Sequence, residues 1–305
     1  MQSSPALSVG LPIVLCIIML GLGLSLKIDD FRRVLREPRG VIVGLVCQIV
    51  ILPIVCFFLA SYSGLPPAIA VGMMLLAASP GGSSAMLYTH LARGDVALSI
   101  TLTAVTSALS IVTVPLIANF SLQHFYGESA AIYLELAQVG QIFAIAVVPA
   151  LVGILIQRKY PALAARLERP VKLLAMVFLL LVVVFALATQ WSLVAIWGPT
   201  LGVAVLVFNL ISMAVGYFVP RLFRLGESQA IALAMSIGMH NAALVIAVAL
   251  SDHMLGNREM AIPPAAYGLV AYITGGLLVL VLNARRNAMS ATAGLGDSDP
   301  RPRHI

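Results

Sequence analysis

Charged residues are scarce in this chain. They make up 10% of the 305 residues, whereas apolar residues make up 61%; a soluble domain carries about 25% charged residues. The scarcity extends along the whole chain, because no Asp, Glu, Lys or Arg occurs in residues 1–26, 40–92, 96–127, 136–157, 173–220, 228–251 or 260–284. A soluble fold is therefore excluded, and the runs are long enough for helices that cross a membrane, each of which needs about 20 mostly apolar residues.

Signatures of metal, redox and hydrolytic chemistry are also missing. Cys16, Cys47 and Cys56 all lie in apolar runs and form no CxxC motif, so we expect them to be packing residues. Ser84 and His240 could be proposed as an intramembrane nucleophile and base, but no third group is evident to orient them. An intramembrane enzyme is thus a remote alternative, and we expect no cofactor.

Division of the uncharged runs at clusters of Pro, Gly and Ser predicts an all-α membrane protein with nine spans. These are placed at 7–26, 40–60, 66–92, 96–118, 131–157, 172–189, 196–219, 228–251 and 263–283. With the N-terminus outside, 17 of the 18 basic residues fall on the cytoplasmic side and only Arg258 falls on the other. This asymmetry is the positive-inside rule. The net charge of +6 therefore reflects the basic loops on the cytoplasmic side, and we expect no nucleic-acid partner. We expect a bacterial inner (plasma) membrane protein with a cytoplasmic C-terminus.

The third span is interrupted near its middle by Pro80, Gly81 and Gly82. Proline removes a backbone donor and glycine adds conformational freedom, and broken backbone in hydrocarbon persists only where protein or a wet cavity satisfies it. Ser83 and Ser84 follow at once and are good N-caps for a second half-helix. That half-helix would present the positive end of its dipole near the midplane.

The eighth span carries a matching polar cluster, in which Gly238 marks a break, His240 is the only histidine deep inside a span, and Asn241 can cap the next half-helix. Spans three and eight are five apart and so run in opposite directions. Inverted repeats produce such pairs, and transporters build midplane sites from them. We expect a first repeat of four spans (7–118) and a second of five (131–283), within a transmembrane domain (1–286) followed by a disordered cytoplasmic tail (287–305).

Three stretches resemble the bile acid:sodium symporter family. PGGSSAMLYTHLARGDVALS is similar to the PGG and YLARGNVALS elements of its bacterial members, and SIGMHNAALVIAVAL is similar to its E-x-G-M-Q-N segment. GLGLSLKIDDFRRVLREPRGVIVGLVCQIVILP is similar to its GMGL-x-LK-x-x-DF start and its Q-x-x-x-x-P helix. The resemblance covers about residues 15–283, and this chain looks like the members that lack the first of ten helices.

The resemblance implies a core subdomain of spans two to four and seven to nine, in which the two broken helices cross, and a panel subdomain of spans one, five and six. It also implies transport of an organic anion, such as a bile acid, a steroid conjugate or a small carboxylate, usually coupled to sodium. We expect the anion near Ser83, Ser84, His240 and Asn241, because half-helix N-termini attract negative charge.

The family's first sodium site is only partly present. Ser99 and Thr103 match it, whereas Ala85 and Met86 stand where the family has a Ser-Asn pair, and Ser236 stands where it has a glutamate. Sodium is a hard cation that wants about five or six oxygens, and its transfer from water into a core of low dielectric is costly without a compensating charge.

In the second site Gln48 matches, and the backbone carbonyls around Ile237 and Met239 could remain, but the glutamate is again Ser236 and a glutamine is replaced by His240. The hypothesis is that sodium coupling is weakened or absent and that His240 binds the anion or carries a proton. The alternatives left open are a proton-coupled or uncoupled carrier or exporter of organic or metalloid anions on the same fold, a channel, and a receptor without transport.

Overall fold

The computed structural model describes residues 38–82, 84–127, 151–167, 191–251 and 254–296, with further single residues between 13 and 24, at 148–149 and between 170 and 177. Within these residues the secondary structure is helical, apart from one isolated backbone bridge. The predicted spans 7–26, 131–157 and 172–189 lie wholly or largely outside the described part of the chain, although residues 151–159 and 161–167 are helical.

Helix α1 comprises Pro38–Tyr62 and contains one π-helical segment, Val46–Ile51. The segment precedes Pro53, which has no N–H to donate to the backbone of the preceding turn. The backbone N–H of Leu52 instead donates to the carbonyl of Cys47, five residues back. Such π-bulges often occur at functional sites, and this one carries Gln48, which is buried.

The third predicted span is broken, as the sequence indicates. Helix α2 (Pro67–Ala78) and helix α3 (Ser84–Leu91) are separated by Ser79, Pro80 and the glycines that follow. Helix α4 (Val96–Tyr126) bends by 56° between Ser110 and Val112. The bend falls four residues before Pro115, where the proline ring clashes with the helix carbonyl.

The C-terminal half of the described chain repeats this pattern of long and broken helices. Helix α5 (Trp191–Leu222) is followed by the short helices α6 (Glu227–Gly238) and α7 (Ala242–Leu250). A 3-10 turn, Glu259–Ala261, then leads into helix α8 (Ile262–Gly296). Helix α8 thus continues beyond residue 286, where the sequence predicts the end of the transmembrane domain.

The long helices have lipid-compatible outer faces, and the broken ones lie inside. Of the described residues, the stretches Pro38–Tyr62, Ala195–Leu222 and Glu259–Ala288 are each long and apolar enough to cross a membrane, and the bent α4 makes a fourth if it is counted as one span. Every residue from Ala68 to Ala78 in α2 and from Ala230 to Gly238 in α6 is buried. A helix that is apolar on all sides is a core helix, so α2 and α6 carry their breaks into the centre of the molecule.

Candidate functional site

The two breaks meet. An antiparallel backbone bridge joins Gly81 to His240. The N–H of Gly82 donates to the carbonyl of Met239, and the N–H of Asn241 donates to the carbonyl of Pro80 at 2.9 Å. Backbone groups that the helix interruptions release are therefore satisfied by one another. This arrangement meets the requirement that unpaired backbone inside a membrane be buried against protein.

Glycine is needed at this crossing because the two backbones approach too closely for a side chain. A Cβ placed on Gly82 would lie 3.0 Å from the carbonyl oxygen of His240 and 3.1 Å from that of Met239. A Cβ on Gly81 would lie 3.0 Å from the carbonyl oxygen of Ser236. The obstacles are backbone atoms, which cannot rotate away, so the two glycines set the distance between the broken helices.

A buried cluster surrounds the carbonyl of Ser79, at the C-terminal end of α2. The Nε2 of Gln48 donates to this oxygen at 3.2 Å, and the Nδ1 of His240 lies 3.4 Å from it. A carbonyl oxygen can only accept, so we assign the imidazole proton of His240 to Nδ1. The Nε2 of His240 and the Oε1 of Gln48 are both buried, and neither has a hydrogen-bond partner among the described residues.

Aromatic rings hold the imidazole in place. The ring of His240 stacks on Phe208 with 5.6 Å between centroids and an interplanar angle of 12°. It meets the edge of Tyr267 at a centroid distance of 5.4 Å. The stacking contact and the edge contact together fix the direction in which Nε2 points.

A second polar network surrounds the carbonyl of Gly238, the last residue of α6. The Nδ2 of Asn209 donates to it at 2.9 Å, and the hydroxyl of Tyr267 donates to it at 2.8 Å. The hydroxyl of Thr274 in turn donates to the Oδ1 of Asn209 at 2.6 Å. Sequence reasoning missed these three residues. The only signal available was one amide, Asn209, in the middle of an apolar span, a position at which polar side chains join helices to one another.

The hydroxyls that resemble the first sodium site are partly paired with each other. The Oγ atoms of Ser99 and Ser236 lie 2.7 Å apart. The Oγ1 of Thr103 is buried and has no hydrogen-bond partner in the described structure. It lies 3.1 Å from the Cβ position of Gly81, so it faces the crossing.

The structure brings most of the predicted residues to one place. Gln48, Gly81, Ser99, Ser236 and His240 are buried around the crossing. Residues Thr103, Gly82, Met239 and Asn241 lie beside them.

Five predicted positions need separate comment. Pro80 lies in the break, as predicted, and its carbonyl accepts from Asn241. Gly238 is the last residue of α6, so the second break begins one residue later than the sequence suggests. Ile237 lies inside the last turn of α6 with its side chain buried. Ser84 is the first residue of α3 and is half-buried, and Ser83 lies outside the described residues.

The second half-helix begins at a side-chain cap, as predicted. The Oδ1 of Asn241 accepts a hydrogen bond from the N–H of Leu244 at 3.1 Å. The first turn of α7 therefore faces the crossing with its positive end, in the same region as the unpaired Nε2 of His240. In the described part of the chain no group of three or more His, Cys, Asp or Glu side chains could hold a metal ion.

Known proteins with a similar sequence are transporters. The chain is 26% identical over 265 residues to the probable sodium/metabolite cotransporter BASS1, chloroplastic, of Arabidopsis thaliana, which covers 87% of this chain and 64% of that relative. It is 27% identical to the uncharacterized sodium-dependent transporter YocS of Bacillus subtilis, over 87% of this chain and 80% of the relative. It is 25% identical to the ileal sodium/bile acid cotransporter of Oryctolagus cuniculus, over 79% and 69%.

The model of the Sodium Bile acid symporter family matches residues 12–197, which is more than half of the chain. The match agrees with the resemblance found in the sequence motifs, and it sets aside the intramembrane enzyme, because the matching family members are transporters. The alignment spans less than two thirds of the length of the BASS1 relative, and the chain belongs to the sodium bile acid symporter family.

Proposed function

We propose that the chain is a secondary active transporter that carries an organic anion past the crossing of the two broken helices. The observation that carries the proposal is the backbone bridge between Gly81 and His240. It places the starts of α3 and α7 in one region, each with the positive end of its helix dipole. Two converging helix N-termini favour a negatively charged group without a buried lysine.

The substrate class follows from the polar atoms at the crossing. Asn241 caps α7, Ser84 begins α3, and the buried Nε2 of His240 has no partner in the described residues. With its proton on Nδ1 the neutral imidazole presents Nε2 as an acceptor, and uptake of a second proton at Nε2 would make it a charged donor to an anion. The described acidic residues, Asp95, Glu227 and Glu259, lie at helix ends and do not oppose an anion at the crossing. Relatives named as metabolite and bile acid cotransporters support an organic anion as the substrate.

The transport cycle we propose is alternating access, in which the core rocks against the panel around a fixed site. The nine spans, the inverted repeat of residues 7–118 and 131–283, and the core and panel subdomains are parts of the same proposal. So is the placement in a bacterial inner membrane with the N-terminus outside, which the basic loops support. Relatives named for sodium dependence make sodium one candidate for the coupling cation, and a proton is the other.

The test begins with purified protein screened by thermal shift against a bile acid, a steroid sulfate and small carboxylates, because a bound ligand raises apparent stability by mass action. Any stabilising anion is then measured for uptake into proteoliposomes. Saturable uptake is expected, and it separates a carrier from a channel. If no member of the panel stabilises the protein or enters the vesicles, the proposed function is wrong.

A matched pair of histidine variants tests the location of the site. His240→Leu removes the Nδ1 contact and the unpaired Nε2, and we expect it to abolish uptake. His90→Leu makes the same chemical change at an exposed position near the end of α3, and we expect uptake close to that of the wild type. Equal uptake by the two variants would place the substrate elsewhere.

A further inference from the structure

The C-terminal ends of two half-helices point at the crossing, and this is where a cation would be expected. The last carbonyls of a helix lack intrahelical donors and carry a partial negative charge. In transporters with broken helices, such ends and the unwound backbone beside them coordinate coupling cations. In this chain the ends are those of α2, which stops at Ala78, and of α6, which stops at Gly238.

One carbonyl at each end already accepts from the protein's own side chains. The Ser79 carbonyl accepts from Gln48 and faces the Nδ1 of His240. The Gly238 carbonyl accepts from Asn209 and from Tyr267. A carbonyl oxygen has two lone pairs, so each of these oxygens has its accepting capacity filled without an ion.

The hydroxyls beside the crossing show the same pattern. Ser99 and Ser236 lie on different helices, and their Oγ atoms share a hydrogen bond of 2.7 Å. One of the two hydroxyls donates its proton to the other, so the pair links α4 to α6 directly.

Among the described residues the acidic ones, Asp95, Glu227 and Glu259, lie at helix ends, so none supplies negative charge at the crossing to offset the desolvation of a cation. Two buried oxygens, the Oε1 of Gln48 and the Oγ1 of Thr103, have no partner in the described structure. Both are neutral, and two neutral ligands fall short of the five or six oxygens and the compensating charge that sodium needs.

We propose that this hydrogen-bond clamp, formed by Gln48, Ser99, Asn209, Ser236, His240 and Tyr267, replaces bound sodium in holding the two broken helices together. The crossing is then assembled in the absence of sodium, and the anion binds without a sodium requirement. Only the statement about anion binding rests on the proposed transport function. The clamp separates this chain from relatives that are named as a sodium/metabolite cotransporter and a sodium-dependent transporter.

The first experiment needs no substrate. The melting temperature of the purified protein is measured as sodium chloride replaces choline chloride at constant ionic strength. A specific site would stabilise the folded protein by RT ln(1 + c/Kd), where c is the sodium concentration, whereas the clamp predicts no difference between the two salts. Stabilisation by sodium that potassium does not reproduce would overturn the clamp and leave the transport function standing.

The second experiment restores the missing charge. Ser236→Glu places a carboxylate beside Ser99 and Thr103, and we expect its melting temperature to fall in choline and to recover specifically in sodium. Ser121→Glu is the control, because Ser121 is equally buried on the outer half of α4, where the same carboxylate has no crossing beside it. We expect this variant to be destabilised in both salts. An equal response of the two variants to sodium would show that the clamp does not occupy a cation site, and if Ser236→Glu does not fold, the wild-type titration decides the question.

The third experiment uses any anion found by the screen. Its dissociation constant and its uptake are compared in sodium and in choline at fixed pH, and we expect both to be unchanged. Uptake that collapses in choline would overturn the inference. A complete lack of uptake in both salts would reject the proposed function but not the clamp, which the melting temperatures test separately.

Discussion

The two breaks at the crossing differ in what they contribute. The first, between Ala78 and Ser84, contributes backbone, since Gly81 and Gly82 have no side chains and let their main chain contact the backbone of the second break. The second, between Gly238 and Ala242, contributes side chains: His240 projects into the centre, and Asn241 caps the next helix. The backbone pairing between them is reciprocal, but their chemistry is not. The glycines of the first break leave space at the crossing, and the second break places functional side chains in that space.

The carbonyls at the two helix ends are also reached from different directions. Ser79 is contacted by Gln48 from α1 and by His240 from the opposite break. Gly238 is contacted by Asn209 from α5 and by Tyr267 from α8. The first end therefore depends on the second break, whereas the second end is supported by the surrounding long helices. Changes at the first break should mainly alter distance, and changes at the second should mainly alter recognition.

The largest effect is expected where the first break makes room. Gly82→Ala places a Cβ 3.0 Å from the His240 carbonyl oxygen, and overpacking against backbone costs about 3 kcal/mol at the upper end of its usual range. We expect this loss in thermal or denaturant unfolding, together with loss of uptake. Gly276→Ala in α8 is the control, because its Cβ meets nothing within 4 Å. There we expect alanine to stabilise the helix by about 0.5–1 kcal/mol. Similar stabilities of the two variants would show that the breaks are not in close contact.

A smaller effect is expected when the two side-chain donors to the Gly238 carbonyl are removed, and the losses of stability from the two changes should be non-additive. Asn209→Leu or Tyr267→Phe alone leaves the Gly238 carbonyl with one donor and should cost about 1 kcal/mol. The double variant leaves a buried carbonyl with neither donor, so its cost should exceed the sum of the two single costs by about 1 kcal/mol or more. Tyr88→Phe removes a comparable hydroxyl bond, 3.2 Å from the carbonyl of Tyr272 and more exposed, and should add to Asn209→Leu independently. Strict additivity in the first pair would argue against a shared acceptor.

The two breaks were also unequally predictable from the sequence. Pro80 with two glycines in an apolar run is a strong signal, because these residues remove or loosen the local backbone bonds wherever they stand. Asn241 was predicted as a cap from its position alone, and the structure shows the cap. Both predictions depend on local backbone chemistry, which a sequence carries directly.

The rest depends on which distant residues meet. Asn209, Tyr267 and Thr274 lie on α5 and α8, and nothing in their local sequence indicates that all three converge on Gly238. The family resemblance placed Ser99 and Ser236 in one site, but their mutual hydrogen bond depends on side-chain rotamers that become available when a serine stands in place of a carboxylate. The helical state of Gly238 was missed because a glycine inside a helix costs only about 1 kcal/mol, which packing against Met213 and the second network can offset.

Two side-chain caps of the same geometry separate stability from recognition at the second break. Asn241 accepts from Leu244 at 3.1 Å, and Asp95 accepts from Leu98 at 3.0 Å at the start of α4. Replacement of either by alanine should cost about 1 kcal/mol of stability. Only Asn241→Ala should also weaken binding of the anion, because α7 begins at the crossing and α4 does not. Binding measured by thermal shift or uptake should be unchanged in Asp95→Ala, and an equal loss in both variants would mean that the caps act through stability alone.

The smallest effect should come from Ser79→Ala, which changes a side chain at the first break. The Ser79 hydroxyl donates to the Leu76 carbonyl at 2.7 Å, but that oxygen also accepts from the Ser79 backbone N–H at 3.0 Å. Loss of the hydroxyl therefore leaves no buried acceptor without a partner, and the expected cost is below about 0.5 kcal/mol. The Ser79 carbonyl, which Gln48 and His240 contact, is retained by alanine. Uptake should consequently stay at the wild-type level, and a marked loss would show that the first break contributes a side chain to recognition after all.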